Sequence, residues 1–173
     1  MLVSGATVGS SKSAERLSTR PRPCSVIQIP DNREGYLSVD PDNLDKHSLK
    51  AILPLMWHIE FTDEFERWWN SLNADEQESL AASVELLRQI GPQLSRPHAD
   101  VLKGSKHANM KELRTQHRGR PLRTLFAFDP HRCAILLIGG DKKGGNRFYE
   151  RMIPLADRLY DEHLKQLRQE KLI

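Results

Sequence analysis

Hydrophobic and polar residues begin to follow a regular period at Trp57. Trp57, Ile59 and Phe61 alternate with polar residues, a two-residue period that predicts a strand. Upstream, only short apolar pieces are scattered among Ser, Pro, Gly and Arg. A segment of that composition buries too little apolar surface to offset the entropy lost on ordering. We therefore predict a disordered or poorly ordered N-terminal extension over residues 1–55 and one folded domain over residues 56–173.

Two amphipathic helices are predicted to follow this strand. Thr62 is a suitable N-terminal cap for the first helix. Its apolar face has the i, i+3, i+4, i+7 spacing and consists of Phe65, Trp68, Trp69 and Leu72. The second helix is predicted to begin at Asp75, with Glu78 completing a partial capping box, and to stop at Gly91. The short connection between the two helices predicts a helical hairpin.

Three further strands and a final helix complete the pattern. The strands are predicted at residues 110–115, 122–128 and 133–138. The loop before them contains a possible extended piece at 101–103, and a glycine-rich loop at 139–145 follows them. The final helix starts near Phe148, and Pro154 predicts a kink or a break in it. The order β-α-α-β-β-β-α indicates an α+β domain.

Length and composition limit the class of protein. The 173 residues are enough for one domain of ordinary size. No apolar run approaches the roughly 20 residues of a membrane-spanning helix. The N-terminus lacks the basic start and apolar core of a secretory signal, so we expect a cytoplasmic protein. Two cysteines, Cys24 and Cys133, are too few for a disulfide framework or a zinc cluster, and no histidine lies in a metal-binding motif.

Positive charge is concentrated in one segment of the chain. The net charge is only +3, but residues 96–151 hold thirteen Lys and Arg against five Asp and Glu. Residues 56–95 hold two against eight. A basic segment of this kind attracts polyanions such as nucleic acids. The alternative is a solvated basic face that the acidic helices balance, and charge alone does not separate the two.

Strand periodicity places two arginines on one face of the predicted sheet. Leu113 is expected to face the helices, which leaves Glu112 and Arg114 on the opposite face. The same reasoning puts Arg123 of the next strand beside them. Guanidinium groups bind phosphate oxygens through paired hydrogen bonds, so the arginines are a candidate phosphate clamp on an open face. The alternative is a surface ion pair with Glu112, which would contribute little to stability.

The glycine-rich loop and the helix after it add further candidate groups. Lys142 and Lys143 lie in the loop, which has neither the spacing of a P-loop nor that of a dinucleotide fingerprint. Tyr149 follows the apolar Phe148, so it points in a different direction and is within reach of the open face. There a tyrosine can stack on a base or exchange a proton. A flexible solvated loop and a packed tyrosine are the alternatives.

Five segments carry a family resemblance: EFTDEFERWW, MKELR, RPLRTLFAFDP, IGGDKKG and RFYERMIPLADRLY. In these segments the chain from Trp57 to Leu167 resembles the RelE/HigB family of type II toxins, including its phage-derived HigB-like branch. The resemblance covers nearly all of the predicted domain and none of the N-terminal extension. It implies a RelE-like α+β fold, in which two N-terminal helices pack on a small antiparallel sheet and a C-terminal helix follows.

The resemblance also implies an activity. Toxins of this family are ribosome-dependent endoribonucleases, or mRNA interferases, in which the RNA 2′-hydroxyl attacks the neighbouring phosphate without a metal or other cofactor. By position in the family's motifs, the catalytic residues would be Arg123, Tyr149, Arg114 and Lys143. The RNA-binding residues would be Lys111, Arg118, Arg120, Lys142 and Arg147. Arg123 would stabilise the charge on the phosphate, and Tyr149 would transfer a proton or stack on a base.

The resemblance leaves the role of Glu112 and the class of toxin open. Some family members have lysine where Glu112 stands, so Glu112 would orient Arg123, act as a base or take no part. ParE-like toxins share the fold but inhibit DNA gyrase and cleave nothing. A ParE-like toxin and a non-enzymatic, basic nucleic-acid-binding module are therefore the alternatives. The family implies a cognate antitoxin, here a HigA-like helix-turn-helix protein, and action on mRNA at the ribosome.

Overall fold

One sheet with helices on both of its faces forms the fold. A computed structural model of the chain describes residues 22–23, 56–143 and 145–173. The strands are β1 (Arg22–Pro23), β2 (His58–Phe61), β3 (Ala99–Val101), β4 (Met110–His117), β5 (Arg120–Phe128) and β6 (Cys133–Asp141). The helices are α1 (Asp63–Trp69), α2 (Ala74–Ile90), a 3₁₀ turn (Gly91–Gln93) and α3 (Asn146–Gln169). Apart from β1, the predicted N-terminal extension lies outside the described residues.

Side-chain caps determine where the first two helices begin. The Thr62 hydroxyl accepts a hydrogen bond of 3.2 Å from the amide three residues later, which confirms the predicted cap of α1. The predicted start of α2 is wrong, because Asn73 rather than Asp75 precedes the helix. The Asn73 side chain accepts from the Glu76 amide, and the Glu76 carboxylate accepts from the Asn73 amide. Glu76 thus takes the place in the capping box that was predicted for Glu78.

The six strands form a mixed sheet in the order β1–β2–β6–β5–β4–β3. β2 runs parallel to β6, with Ile59 opposite Ala134, and the other neighbouring strands are antiparallel. The prediction of an antiparallel sheet is therefore wrong for β2. Two helices and three strands separate β2 from β6, so the chain is long enough to cross over and return in the same direction. β3 begins at Ala99, slightly before the predicted extended piece.

Alternation along the strands divides the core into two layers. On one face, Phe65 of α1 and Leu87 of α2 pack with Phe126 of β5. On the other face, α3 packs through residues such as Met152 against β5 and β6. The predicted alternation of β5 is confirmed. The face that carries Arg123 is nevertheless not open, because α3 covers it.

β6 continues into the segment that was predicted to be a glycine-rich loop. Gly139 and Gly140 pair with β5, so the loop prediction is wrong for residues 139–141. A Cβ atom at Gly139 would overlap the ring of Trp68, and one at Gly140 would lie 2.9 Å from the ring of Phe148. Glycine at these positions therefore lets α1 and α3 approach the sheet closely from its two faces.

α3 is one continuous helix that passes through Pro154. Pro154 lies on the exposed side of α3, so the carbonyl that loses its helical partner there is near water. Of the two alternatives predicted for Pro154, a kink or a break, the break is therefore wrong. Neither α3 nor any other helix in the described ranges is long and apolar enough to cross a membrane.

Candidate active site between β4, β5 and α3

Three elements bring a carboxylate, a phenol and two guanidinium groups together. Arg114 of β4 lies opposite Arg123 of β5 in the antiparallel pair. Glu112 precedes Arg114 by two positions, so the period of the strand puts it on the same face. Tyr149 is in the first turn of α3, which packs on this face. We name these four residues the arginine cluster.

The Glu112 carboxylate is at the centre of the arginine cluster. The Tyr149 hydroxyl donates a hydrogen bond of 2.6 Å to Glu112 Oε2. Arg123 Nε lies 3.8 Å from the same oxygen, and Arg114 Nη1 lies 3.8 Å from Glu112 Oε1. Each carboxylate oxygen therefore faces a guanidinium group, which offsets the cost of burying its charge.

The arginine cluster is largely closed to solvent. Arg123 is 3% exposed and Glu112 is 5% exposed. Arg123 Nη1 donates to the Leu122 carbonyl at 2.9 Å, but the buried Arg123 Nε has no hydrogen-bond partner among the described residues. Buried charged groups normally have their donors paired. The prediction of an open face is therefore wrong at Arg123, which lies beneath α3, whereas Arg114 is partly exposed. Phosphate binding by the two arginines stays a prediction.

Tyr149 keeps its proton well above neutral pH. Burial and the hydrogen bond to the Glu112 carboxylate raise the pKa of Tyr149 to about 12, and the Arg123 guanidinium opposes part of this rise. At neutral pH the phenol is therefore a hydrogen-bond donor and a proton source rather than a base. Lys142 adds a further positive charge, with Nζ 5.0 Å from the centre of the Tyr149 ring.

Replacing Glu112 by glutamine should lower the pKa of Tyr149 from about 12 towards its ordinary value of 10.0. Glutamine keeps the shape of the side chain but removes the charge that disfavours tyrosinate. The measurement is the ultraviolet absorbance of tyrosinate against pH, with Tyr149→Phe subtracted to isolate this residue. A midpoint that stays at about 12 in Glu112→Gln would contradict the role of the carboxylate and leave burial as the cause.

The same raised pKa makes the protein less stable in strong alkali. The folded state holds the Tyr149 proton more tightly than the unfolded chain does. This contribution to the free energy of unfolding is therefore complete below pH 10.0 and is lost as the pH rises towards 12.

Basic side chains of the loop and of the first turns of α3 lie next to Tyr149 in the chain. Lys143 and Arg147 are exposed, and Lys142 is partly exposed. Arg151, one turn after Arg147, is exposed as well. Sequence reasoning missed Arg151, although its spacing of four from Arg147, at the start of the predicted final helix, was a usable signal. We name these four residues the basic rim.

Lys111 lies away from the arginine cluster, on the opposite face of β4. Its Nζ donates to the carbonyls of Pro92 at 2.9 Å and Leu94 at 2.6 Å, and burial lowers the pKa of Lys111. Lys111 is an odd number of positions from both Glu112 and Arg114, so the period of the strand turns it to the other side. Lys111 and Arg114 therefore lie on opposite faces of β4, and the binding of RNA by Lys111 stays a prediction.

Arg118 and Arg120 flank the turn between β4 and β5 and pair with acidic residues. Arg118 Nη2 lies 2.7 Å from Asp75 Oδ2. Arg120 Nη2 lies 3.0 Å from Asp141 Oδ2, and Arg120 also pairs with Glu76. The acidic start of α2 thus neutralises this part of the basic segment. For these two residues, this favours the alternative in which acidic helices balance a solvated basic face. Their binding to RNA stays a prediction.

Glu112 belongs to the cluster although its role was open at the level of sequence. It contacts Tyr149 directly and lies beside both arginines. Its spacing of two from Arg114 was the signal that placed it on their face. Within the described ranges, no three His, Cys, Asp or Glu side chains are arranged to hold a metal ion together.

Comparison with known proteins identifies the family of the chain. The family model described as phage-derived protein Gp49-like matches residues 67–161, more than half of the chain. HigB2 of Mycobacterium tuberculosis is 42% identical over 136 residues, which are 76% of this chain and 68% of that protein. HigB3 of the same organism is 48% identical over 95 residues, which are 54% of this chain and 82% of that protein. Both relatives are named as candidate toxins.

The matched region contains the whole arginine cluster and the whole basic rim. No solved structure matches the chain. The family match and the two relatives confirm the resemblance to the phage-derived HigB-like branch. The chain therefore belongs to the phage-derived Gp49-like family.

Proposed function

We propose that this chain is the toxin of a type II toxin–antitoxin system and acts as a ribosome-dependent endoribonuclease, an mRNA interferase with a RelE-like fold. The names of the two mycobacterial relatives support the toxin assignment. The arginine cluster supports the ribonuclease assignment, because phosphodiester cleavage without a metal needs fixed positive charge and proton transfer. The single observation that carries the proposal is the Arg123 guanidinium beside the hydrogen bond between Tyr149 and Glu112.

Cleavage would use the 2′-hydroxyl of the RNA itself. The 2′-oxygen gives up its proton and attacks the adjacent phosphorus. The bond from phosphorus to the 5′-oxygen breaks, and that oxygen takes up a proton. The products are a 2′,3′-cyclic phosphate and a 5′-hydroxyl end. The protein therefore has to supply orientation, positive charge and two proton transfers, and it does so without a metal.

The two arginines would stabilise the negative charge of the pentavalent phosphate. Arg123 is buried, and the attraction between charges is stronger in a low-dielectric environment than in water. Arg114, on the neighbouring strand and partly exposed, would hold a second phosphate oxygen. Lys143 and the rest of the basic rim would bind the flanking RNA backbone.

Tyr149 and Glu112 would divide the two proton transfers. A tyrosine with a pKa of about 12 keeps its proton at neutral pH, so Tyr149 is suited to protonate the 5′-oxygen. The Glu112 carboxylate is suited to accept the proton of the 2′-hydroxyl once the Tyr149 hydroxyl no longer donates its hydrogen bond to that carboxylate. We thus assign Glu112 the role of a base rather than that of a residue that orients Arg123 or takes no part.

The proposed partners are mRNA, the ribosome and a cognate antitoxin. The exposed basic rim is suited to the phosphate backbone of mRNA or of ribosomal RNA. A HigA-like helix-turn-helix antitoxin with an acidic segment would inhibit the toxin by covering the same rim.

A translating cell extract separates this function from its alternatives. After the protein is added, the ends of messenger RNA are mapped by primer extension. We expect cuts at codon boundaries that disappear with Arg123→Ala or Tyr149→Phe. Intact RNA with trapped gyrase–DNA complexes would instead assign the chain to the ParE-like toxins. If the extract shows neither mRNA cuts nor trapped gyrase–DNA complexes, the chain is assigned to the non-enzymatic, basic nucleic-acid-binding modules.

A further inference from the structure

Glu112 occupies the place in the arginine cluster that suits an anionic ligand. Its carboxylate accepts the Tyr149 hydroxyl at 2.6 Å and lies 3.8 Å from guanidinium nitrogens of Arg114 and of Arg123. Two guanidinium groups and a hydroxyl are also donors that bind a phosphate group. The cluster therefore already surrounds an anion, and that anion is part of the chain.

The fit of this anion is incomplete at Arg123. A distance of 3.8 Å is too long for a hydrogen bond, and the buried Arg123 Nε has no partner among the described residues. A buried donor without an acceptor is unfavourable, and an acceptor that reaches it gains a charge-assisted hydrogen bond. Arg123 Nε is thus available to a phosphate oxygen that approaches more closely than Glu112 does.

We propose that Glu112 is a built-in competitor of the RNA phosphate, which keeps the arginine cluster closed by binding the Tyr149 hydroxyl and facing both arginines. This inference rests on the proposed function, since RNA is the ligand. Entry of a phosphate breaks the hydrogen bond between Tyr149 and Glu112 and gives Arg123 Nε its missing acceptor. It also frees the phenol to donate a proton and the carboxylate to accept one, so that substrate binding prepares the acid and the base together.

The competition predicts opposite effects of one substitution on binding and on cleavage. Glu112→Gln removes a negative charge that repels the phosphate and competes with it, so RNA should bind more tightly. The same substitution removes the proton acceptor, so cleavage should be slower. A residue that only supports the fold would weaken both when it is replaced.

The binding test uses the full chain and a short single-stranded RNA that is 2′-O-methylated throughout, which has no 2′-hydroxyl to attack. Fluorescence anisotropy gives the Kd for wild type, Glu112→Gln and the matched control Glu150→Gln. Glu150 is exposed at the start of the second turn of α3, so its replacement changes the net charge equally outside the cluster. We expect about tenfold tighter binding for Glu112→Gln and less than about a twofold change for Glu150→Gln. Binding by Glu112→Gln that is no tighter than that of Glu150→Gln would overturn the inference.

A second measurement needs only the wild-type side chain at position 112. The NMR signal of the Arg123 Nε–H group, identified by its loss in Arg123→Lys, should shift when the 2′-O-methylated RNA saturates the protein, because Nε gains an acceptor. An unchanged signal at saturation would overturn the inference, even if Glu112→Gln does not fold. Neither measurement depends on cleavage. Intact mRNA in the translating extract would therefore reject the ribonuclease activity, whereas unchanged binding and an unchanged signal would reject the competition.

Discussion

Replacing Arg123 by alanine should slow mRNA cleavage by about 10²- to 10³-fold. Arg123 is the most deeply buried positive charge of the arginine cluster, and a fixed donor in a closed site stabilises developing charge more strongly than a surface donor does. The measurement is the initial rate of cleavage in a translating extract at equal protein concentrations, with the melting temperature of each variant recorded to show that the fold is kept.

Arg67→Ala is the matched control for Arg123→Ala. It removes the same charge from α1, on the opposite face of the sheet, where Arg67 pairs with Glu64 at 3.2 Å. Arg123→Lys keeps the charge but loses the planar fork of donors, so it should recover only part of the rate. A folded Arg123→Ala protein that cleaves as fast as Arg67→Ala would remove Arg123 from the catalytic machinery.

Replacing Phe65 by alanine should lower the free energy of unfolding by about 3–5 kcal/mol. Phe65 is fully buried, and its ring centre lies 6.0 Å from that of Phe61 in β2 and 5.7 Å from that of Trp68 in α1. Truncation removes the ring that joins α1 to the sheet and leaves a cavity in a closely packed layer. Small domains are stable by only about 5–15 kcal/mol, so the variant should unfold at a clearly lower urea concentration.

Leu172→Ala is the control for Phe65→Ala, because Leu172 is 49% exposed. Its replacement should change the free energy of unfolding by no more than about 0.5 kcal/mol. Far-ultraviolet circular dichroism against urea measures both variants. A loss of less than about 1 kcal/mol for Phe65→Ala would contradict its place at the centre of the layer.

Local periodicity was enough to predict most elements and the orientation of their side chains. The alternation of β5 put Arg123 on the face opposite Phe126, and the structure confirms this. The cap at Thr62 and the stop at Gly91 were likewise readable from single residues. These predictions succeed because they depend only on neighbours in the chain.

The closure of the candidate site could not be predicted in this way. Arg123 is buried because α3 lies over the sheet, and α3 can lie there because Gly140 leaves room for the ring of Phe148. The pattern of each element by itself is compatible with an open face or a covered one. The parallel pairing of β2 with β6 is a similar case, since it joins segments that are far apart in sequence.

The charge pattern predicted a basic segment but not which of its charges pair with acidic groups. Arg118 and Arg120 pair with acidic residues at the start of α2, and Lys111 is held by backbone carbonyls on the other face of β4. Lys143, Arg147 and Arg151 of the basic rim are exposed to a polyanion, although Lys143 Nζ lies 3.5 Å from Asp141 Oδ2. Counting charges along the chain cannot separate these groups, because the partners lie on other elements.

A single 2′-deoxy nucleotide at a mapped cut tests the central claim most directly, namely that the RNA 2′-hydroxyl is the attacking group. The substituted message and its all-ribose counterpart are translated in the presence of the wild-type protein, and the ends are mapped by primer extension. The mechanism predicts that cleavage at the substituted position is lost while cuts at other codons of the same message continue. Continued cleavage at the 2′-deoxy position would contradict it.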